Sequence, residues 1–445
     1  MKKIISFLLA LLLCTSIFPM SVFAEKDPIY DLSLDAQGIY VYNLETGTAI
    51  YEKAENARMF PASTTKIVTA LIVLENCKNP KKEIIKIEST DPFNYIIEEG
   101  GVHMELSRGE TFTVYDLLVG LMMSSYCDVA ELLAIRFGGS TENFVKMMND
   151  KAKEMGLENT HFENAHGLHH PNHYSSPKEI ALLLEEALKN DVFREILSLR
   201  NYTIPATDSH DARSLRHTVS IFYENSDMYL DCFVGGKSGF TNQAGRCLAA
   251  YSEKDGVSYI SVLLGANMDS TQKYPGNMAF AGTNTLISYA YEHFSLQTVL
   301  KKGEVIKNIV VTDSDKTLPV IAGEDVVTLV RDKAQASYEV DLPKEISATE
   351  LEKNKEIGKI QLSFNGEIAD GSYPLLLSWD GTPIATKSAI EKGAESAANA
   401  VSGIFKGDKV FVTLFILLLL VIFICLPAIR FSAFLHKKKI HKPKH

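Results

Sequence analysis

Val410 to Ile429 is a run of 20 residues without a charge, bracketed by Lys409 and Arg430. At 1.5 Å per residue, a helix of that length matches a bilayer hydrocarbon core of roughly 30 Å. In lipid such a run satisfies its backbone polar groups only as a helix, so a transmembrane helix is expected over 410–429. A helix buried in a folded core is the alternative, but core helices seldom sit at a chain end beside a basic tail. Beyond the run, Arg430, Lys437, Lys438, Lys439, Lys442 and Lys444 stand without one acidic residue. That asymmetry puts the tail, 430–445, in the cytoplasm and the body on the other side of the membrane.

The opposite end has a complementary pattern. Lys2-Lys3, the apolar run Ile4 to Leu13 and the small residue closing Ser21-Val22-Phe23-Ala24 form the three regions of a secretory signal peptide over 1–24. The mature chain then starts at Glu25. An uncleaved anchor is a second reading, and a lipoprotein through Cys14 a third, the latter opposed by the bulky Leu11-Leu12-Leu13 before it.

Of 45 basic residues, two lie in the leader and six in the tail, which leaves 37 in the exported body against 55 acidic ones. A body at −18 excludes a nucleic-acid partner, which needs a basic surface. Hydrophobic residues at 46% and charged ones at 22%, without low-complexity bias, exclude a disordered chain. Cys77, Cys127, Cys232 and Cys247 are too few for a disulfide-built scaffold, no C-x-x-C spacing suggests zinc, and a Cys232–Cys247 bridge stays open.

Within the body, Gly38 to Tyr42 and Thr48 to Glu52 read as a hairpin around a polar turn. Pro61-Ala62-Ser63 opens a helix closing near Asn76, and helical patterns follow over Val114 to Phe137, Thr141 to Met155 and Pro177 to Leu188. From Cys232 to Phe240, Arg246 to Tyr251 and Val257 to Gly265 the chain becomes β-branched and glycine-punctuated, as antiparallel strands are, and Asn277 to Phe294 returns as a helix. Strands, helices, strands and helix in that order give an α/β (α+β) domain over 25–300. A small all-β domain is expected over 301–380, from Val305 to Val311, Val326 to Arg331, Ala336 to Leu342, Gly358 to Phe364 and Tyr373 to Trp379. A stalk rich in Ala, Gly, Ser and Glu fills 381–409.

Ser63-Thr64-Thr65-Lys66 is an S-x-x-K, in which i and i+3 share a helix face and a lysine amine can sit against a serine hydroxyl. To accept the serine proton the lysine must be neutral, which burial and a second nearby cation achieve. Ser175-Lys178 and Ser270-Lys273 have the same spacing, but only Ser63 begins an apolar helix. Gly235-Gly236-Lys237-Ser238-Gly239 lies on an expected strand, where a cation, a hydroxyl and a glycine along one edge suit a carboxylate-bearing peptide.

Ser63 to Lys66, the run Leu121 to Ala130, Asn164-Ala165-His166-Gly167-Leu168 with His173-Tyr174-Ser175, and Lys237 to Gly239 occur in the order found in the penicillin-binding D-alanyl-D-alanine carboxypeptidases. The chain resembles the low-molecular-weight, C-terminally anchored branch of that family. The resemblance implies a serine β-lactamase/DD-peptidase-like domain, with a five-stranded antiparallel sheet and a helical subdomain. It implies Ser63 as the acylated nucleophile, Lys66 as general base and Ser125 as proton relay. Lys237 and Ser238 would hold the terminal carboxylate of a D-Ala-D-Ala stem peptide beside Gly239. The backbone N–H groups of Ser63 and Phe240 would form the oxyanion hole. β-Lactams would acylate the same serine, and no cofactor or metal is implied.

One departure matters. Where the family usually has Ser-x-Asn, this chain has Ser125-Tyr126-Cys127, and a thiol donates and accepts hydrogen bonds only weakly. Cys127 either lines the cleft and tunes the substrate site or is a tolerated packing variant. The literal Ser363-Phe364-Asn365 falls in the β module and reads as chance. Ser238, where Thr is commoner, keeps the hydroxyl. His166, His169, His170 and His173 lie within eight residues, but the resemblance makes their segment a structural loop rather than a metal site. A catalytically weakened penicillin-binding sensor is the non-enzymatic alternative. A β-lactamase is a further one, disfavoured because no E-x-x-L-N run lies between the second and third motifs.

Overall fold

The structure is a computed structural model that describes residue 32 and residues 34–267, 278–332, 334, 336–364, 367–404 and 416. The expected signal peptide, the transmembrane run apart from Ile416, the basic tail and Lys273 lie outside the described residues. Among the described residues, no helix is long and apolar enough to cross a membrane. The chain divides into two compact units, one of residues 1–297 with 328–334, the other of 298–327 with 335–445.

The first unit is built on a five-stranded sheet. Its strands are β1 (Gly38–Asn43), β2 (Ala49–Lys53), β7 (Phe233–Thr241), β8 (Gly245–Lys254) and β9 (Val257–Ala266), in the order β2-β1-β9-β8-β7, with every neighbouring pair antiparallel. Strand periodicity divides the side chains between two cores. Tyr40, Tyr42, Cys247, Ala249 and Tyr251 enter the core shared with the helical part. Ile39, Val41, Leu248 and Ala250 enter a second core beneath the helix Met278–His293. Being apolar on both faces, β1 and β9 take interior positions, and the glycine-rich β7 is left at the edge.

Helices α1 (Lys66–Asn76), α2 (Asn94–Glu98), α3 (Val114–Val119), α4 (Cys127–Gly138), α5 (Thr141–Glu154), α6 (Pro177–Leu188) and α7 (Asp191–Leu197) form the helical part, and Met278–His293 is α8. Two short hairpins lie among them, β3 (Ile84–Lys86) with β4 (Thr111–Thr113) and β5 (Asn201–Ile204) with β6 (Arg213–Arg216). All side chains of α1 from Lys66 to Leu74 are buried, the signature of a helix apolar all round and placed centrally. Ser140, Ser176 and Asn190 cap α5, α6 and α7, and Pro177 occupies the first turn of α6.

The expected continuous helix from Val114 to Phe137 is corrected. After α3 the backbone widens into a π turn, Gly120–Ser124, then Ser125 turns left-handed at φ 64° and α4 starts afresh at Cys127. A non-glycine residue there is strained, and tertiary contacts hold it: Cys127 N–H donates to the Val102 carbonyl at 2.7 Å.

β10 (Phe294–Leu300) leads out of α8. The second unit contains a six-stranded sheet in the order β14-β16-β17-β12-β11-β15, made of β11 (Val305–Val311), β12 (Thr317–Ala322), β14 (Ala336–Asp341), β15 (Glu345–Ile346), β16 (Glu356–Phe364) and β17 (Glu367–Leu377). β13 (Val326–Arg331) lies between β12 and β14 in sequence. Val311, Val320, Ile360, Leu375 and Leu377 centre this unit's core. The stalk contains α9 (Lys387–Ile404).

Candidate active site

Ser63 lies in a 3-10 turn, Ala62–Thr65, directly before α1, so Lys66 is the first residue of the helix and sits one turn from the serine. Lys66 is fully buried. Its Nζ lies 3.1 Å from Ser63 Oγ and 3.3 Å from Cys127 Sγ, and donates to the His166 carbonyl at 2.6 Å. Burial holds its pKa below the usual lysine value, against the opposing pull of Cys127 and Asp128. The amine therefore releases its proton more readily than an exposed lysine and already touches the hydroxyl it would deprotonate.

Edge strand β7 closes against this turn. A Cβ added to Gly239 would come within 2.6 Å of Ser63 N and 3.0 Å of the Ala62 side chain, so only glycine lets the strand approach so closely. This apposition puts Phe240, one residue on, beside the nucleophile's turn. Gly167 makes a second close approach: with φ at 81°, its added Cβ would fall 2.0 Å from the Ala62 carbonyl.

Lys237 is fully buried, and its Nζ donates to the Ser238 carbonyl at 2.8 Å. Its pKa is pushed far down, first by burial and then by the charge of Lys66. Each lysine thus disfavours the charge of the other. Ser238 Oγ is 3.4 Å from Thr218 Oγ1, which places two hydroxyls at the open edge.

The expected residues are brought together unequally. Ser63, Lys66, Lys237, Ser238, Gly239 and Cys127 form one group. Ser125 stands beside it, but among the described residues no hydrogen bond joins its hydroxyl to Ser63 or Lys66; its carbonyl accepts from Cys127 Sγ at 3.7 Å. Cys127 is 3% exposed and touches the base, so here a buried position and a place in the site coincide. Cys77, Cys127, Cys232 and Cys247 are all unpaired, which closes the Cys232–Cys247 question.

Sequence reasoning missed two contributors and named a third, His173, only as part of a structural loop. The His166 carbonyl has no side-chain signature. Thr218 carries no motif and is revealed only by its contact with Ser238. His173 props the nucleophile's turn: its Nδ1 accepts from Glu163 N–H at 3.2 Å, so Nε2 carries the proton toward Thr65 Oγ1 at 2.9 Å, and that hydroxyl donates to the Ala62 carbonyl at 2.7 Å. His166 is used similarly, with Nδ1 accepting from Leu168 N–H at 3.1 Å and Nε2 facing Tyr95 Oη at 2.9 Å. These histidines are committed to internal hydrogen bonds. Among the described residues, no group of three or more His, Cys, Asp or Glu side chains is placed to hold a metal.

Comparison with known proteins agrees with this geometry. Residues 22–268 match the D-alanyl-D-alanine carboxypeptidase family, and residues 294–392 match the C-terminal domain of penicillin-binding protein 5. D-alanyl-D-alanine carboxypeptidase DacF of Bacillus subtilis (strain 168) is 28% identical over 376 residues, covering 83% of this chain and 92% of the relative. A D-alanyl-D-alanine carboxypeptidase of Streptomyces sp. (strain K15) is 31% identical over 247 residues, covering 52% of this chain and 81% of the relative. Among solved structures, penicillin-binding protein 5 from Haemophilus influenzae shares the fold with a TM-score of 0.61 at 24% identity, over 78% of this chain and 97% of that one. The Streptomyces K15 DD-transpeptidase superposes with a TM-score of 0.53 at 27% identity, over 59% and 98%. With more than half of its length matched by the family, this chain belongs to the D-alanyl-D-alanine carboxypeptidases.

Proposed function

We propose that this chain removes the terminal D-alanine from peptidoglycan stem peptides through an acyl-enzyme on Ser63. Family membership makes it a serine-type D-Ala-D-Ala carboxypeptidase. The observation that carries the mechanism is the 3.1 Å contact of the buried Lys66 amine with Ser63 Oγ, a pair ready for proton transfer. Ser63 Oγ attacks the carbonyl of the penultimate D-alanine as its proton passes to Lys66. The developing oxyanion takes hydrogen bonds from the N–H groups of Ser63 and Phe240, donors worth about 3 kcal/mol each. The proton then goes to the leaving amine, with Ser125 as the relay after a turn of its side chain, and water hydrolyses the ester. Lys237 and Ser238 hold the substrate's terminal carboxylate. β-Lactams acylate Ser63 along the same path.

The anchor belongs to the same proposal. The uncharged run 410–429 and the basic residues after it support a single-pass membrane protein, exported by the signal peptide, with its catalytic body outside and its tail in the cytoplasm.

Incubating the protein with a fluorescent penicillin and a D-Ala-D-Ala peptide, beside Ser63→Ala, tests this. Label and D-alanine release, both lost in Ser63→Ala, are expected. Label without release would favour a penicillin-binding sensor, and rapid loss of label a β-lactamase. No label at all would overturn the proposal.

A further inference from the structure

Strand β17 ends at Leu377, and the chain then reverses through Trp379-Asp380-Gly381-Thr382 before entering α9. Gly381, at φ 90°, permits the reversal, and two hydrogen bonds lock it. Thr382 N–H donates to Asp380 Oδ1 at 2.8 Å, and Trp379 Nε1 donates to the Thr382 carbonyl at 2.9 Å. The turn between β11 and β12 lies across from this reversal, with a cavity of about 610 Å³ between them, within the range of small-ligand sites. Every residue lining the cavity belongs to the second unit, and none of those assigned to catalysis takes part.

The cavity has walls of two kinds. Trp379 and Ile384 pack partly on this unit's core and also line the cavity. Because the indole N–H is already committed, the ring is held as a fixed apolar platform. Asp315 and Asp380, with Ser314 and Lys316, supply the polar wall. The Thr382 hydrogen bond orients Asp380 and stabilises its carboxylate charge.

A fixed aromatic plane flanked by carboxylate and hydroxyl acceptors matches a pyranose, which has an apolar C–H face and a rim of hydroxyl donors. Other ligand classes fit less well. An apolar ligand would cover the carboxylates without giving them hydrogen bonds, and an anionic one would meet two carboxylates at close range. The body's charge of −18 already excludes nucleic acid.

We propose that this cavity binds a neutral sugar of the glycan strand that carries the stem peptides, with the Trp379 indole stacked on one pyranose ring and Asp315 and Asp380 accepting from its hydroxyls. The choice of glycan rests on the carboxypeptidase reading. Holding the strand in the second unit raises the concentration of stem peptide available to Ser63 without any new contact in the cleft.

The chain has one tryptophan, so indole fluorescence reads the cavity directly. Full-length protein titrated with a soluble oligomer of N-acetylglucosamine should show a saturable change in that emission, and Ser63→Ala should show the same change. Trp379→Phe loses the fluorophore, so its binding is followed by saturation-transfer NMR on the sugar. It should be about threefold to tenfold weaker, the worth of an aromatic face. Asp380→Asn, which keeps the acceptor for Thr382, should weaken binding about fivefold. Both variants should release D-alanine from a free stem peptide at the unaltered rate, and from intact peptidoglycan about threefold to tenfold more slowly. No saturable signal, equal affinity in Trp379→Phe, or a signal given by phospholipid vesicles or a stem peptide and not by the sugar would each overturn the proposal. Sugar binding is measured without any peptidase step. Binding without D-alanine release would therefore remove the carboxypeptidase reading alone, and release without binding would remove the glycan site alone.

Discussion

Lys66 Nζ and Cys127 Sγ lie 3.3 Å apart, so the residue that departs from the family's usual pattern touches the general base itself. Where an amide would both donate and accept, the thiol mainly receives one N–H of the lysine. The His166 carbonyl and Ser63 Oγ take the remaining contacts of the amine. Cys127 thus bears on the proton affinity of Lys66: burial lowers it, and the sulfur partly raises it again.

Removing that sulfur should shift a pH profile. Acylation requires neutral Lys66, so its rate rises with pH along a limb set below the ordinary lysine value of about 10.5. Cys127→Ala removes a contact that raises the Lys66 pKa, and the limb should move to lower pH, with a rate loss under about tenfold. Cys127→Asn should keep the rate, since an amide supplies both hydrogen-bonding roles. Stopped-flow acylation by a fluorescent penicillin across pH reads both effects, and identical profiles in all three proteins would take Cys127 out of the mechanism.

Gly239→Ala probes the closeness of strand and nucleophile. Its new methyl would meet Ser63 N at 2.6 Å, and backbone on both sides leaves little freedom to yield. A shift of about 1 Å at a reacting centre can cost on the order of 100-fold, so acylation should fall by about that factor, and the overpacking, about 1–3 kcal/mol, should lower the unfolding midpoint as well. Acylation at the unaltered rate would show that the strand does not set the position of Ser63.

Much of this was legible in the sequence, for identifiable reasons. Ser176 and Pro177 mark the start of α6 so clearly that Pro177–Leu188 is read to the residue, and the hairpin at Gly38 declares itself by alternation and a polar turn. Ser63 and Lys66 are legible because a side-chain spacing maps directly onto a helix face. The break between α3 and α4 is not: Met122-Met123-Ser124-Ser125-Tyr126 contains no glycine or proline, and the left-handed turn at Ser125 is imposed by packing and by Val102, 25 residues before Cys127. β12 was missed because Pro319 interrupts its pattern, yet it pairs with β11 and β17.

Ser125→Gly should separate stability from activity. Glycine adopts φ of 64° without a Cβ penalty, which relieves about 1 kcal/mol of strain. The same change removes the hydroxyl assigned to proton relay, worth about 100-fold or more in acylation. A higher unfolding midpoint with slower acylation is expected, measured by denaturant melts and penicillin labelling on the same preparation. Full acylation activity in this variant would exclude the relay role.

Acid should destabilise the fold through two buried histidines. His173 and His217 are buried, and burial foremost pushes each pKa down to about 3; neighbouring histidines add to this for His173, and Lys237 for His217. In the unfolded chain both return to about 6.5, so between those values the unfolded state binds more protons and stability falls as pH drops. Their stabilising contribution is complete above about pH 6.5, and each histidine removes up to about 1.4 kcal/mol per pH unit below it. Urea midpoints measured from pH 7.5 to 4 should show this slope, and His217→Gln should reduce it by about one proton's worth. Because His173 holds Thr65 and, through it, the Ala62 carbonyl, loss of penicillin labelling should accompany the acid transition, and a flat midpoint over this range would mean that these histidines are not held neutral by the fold.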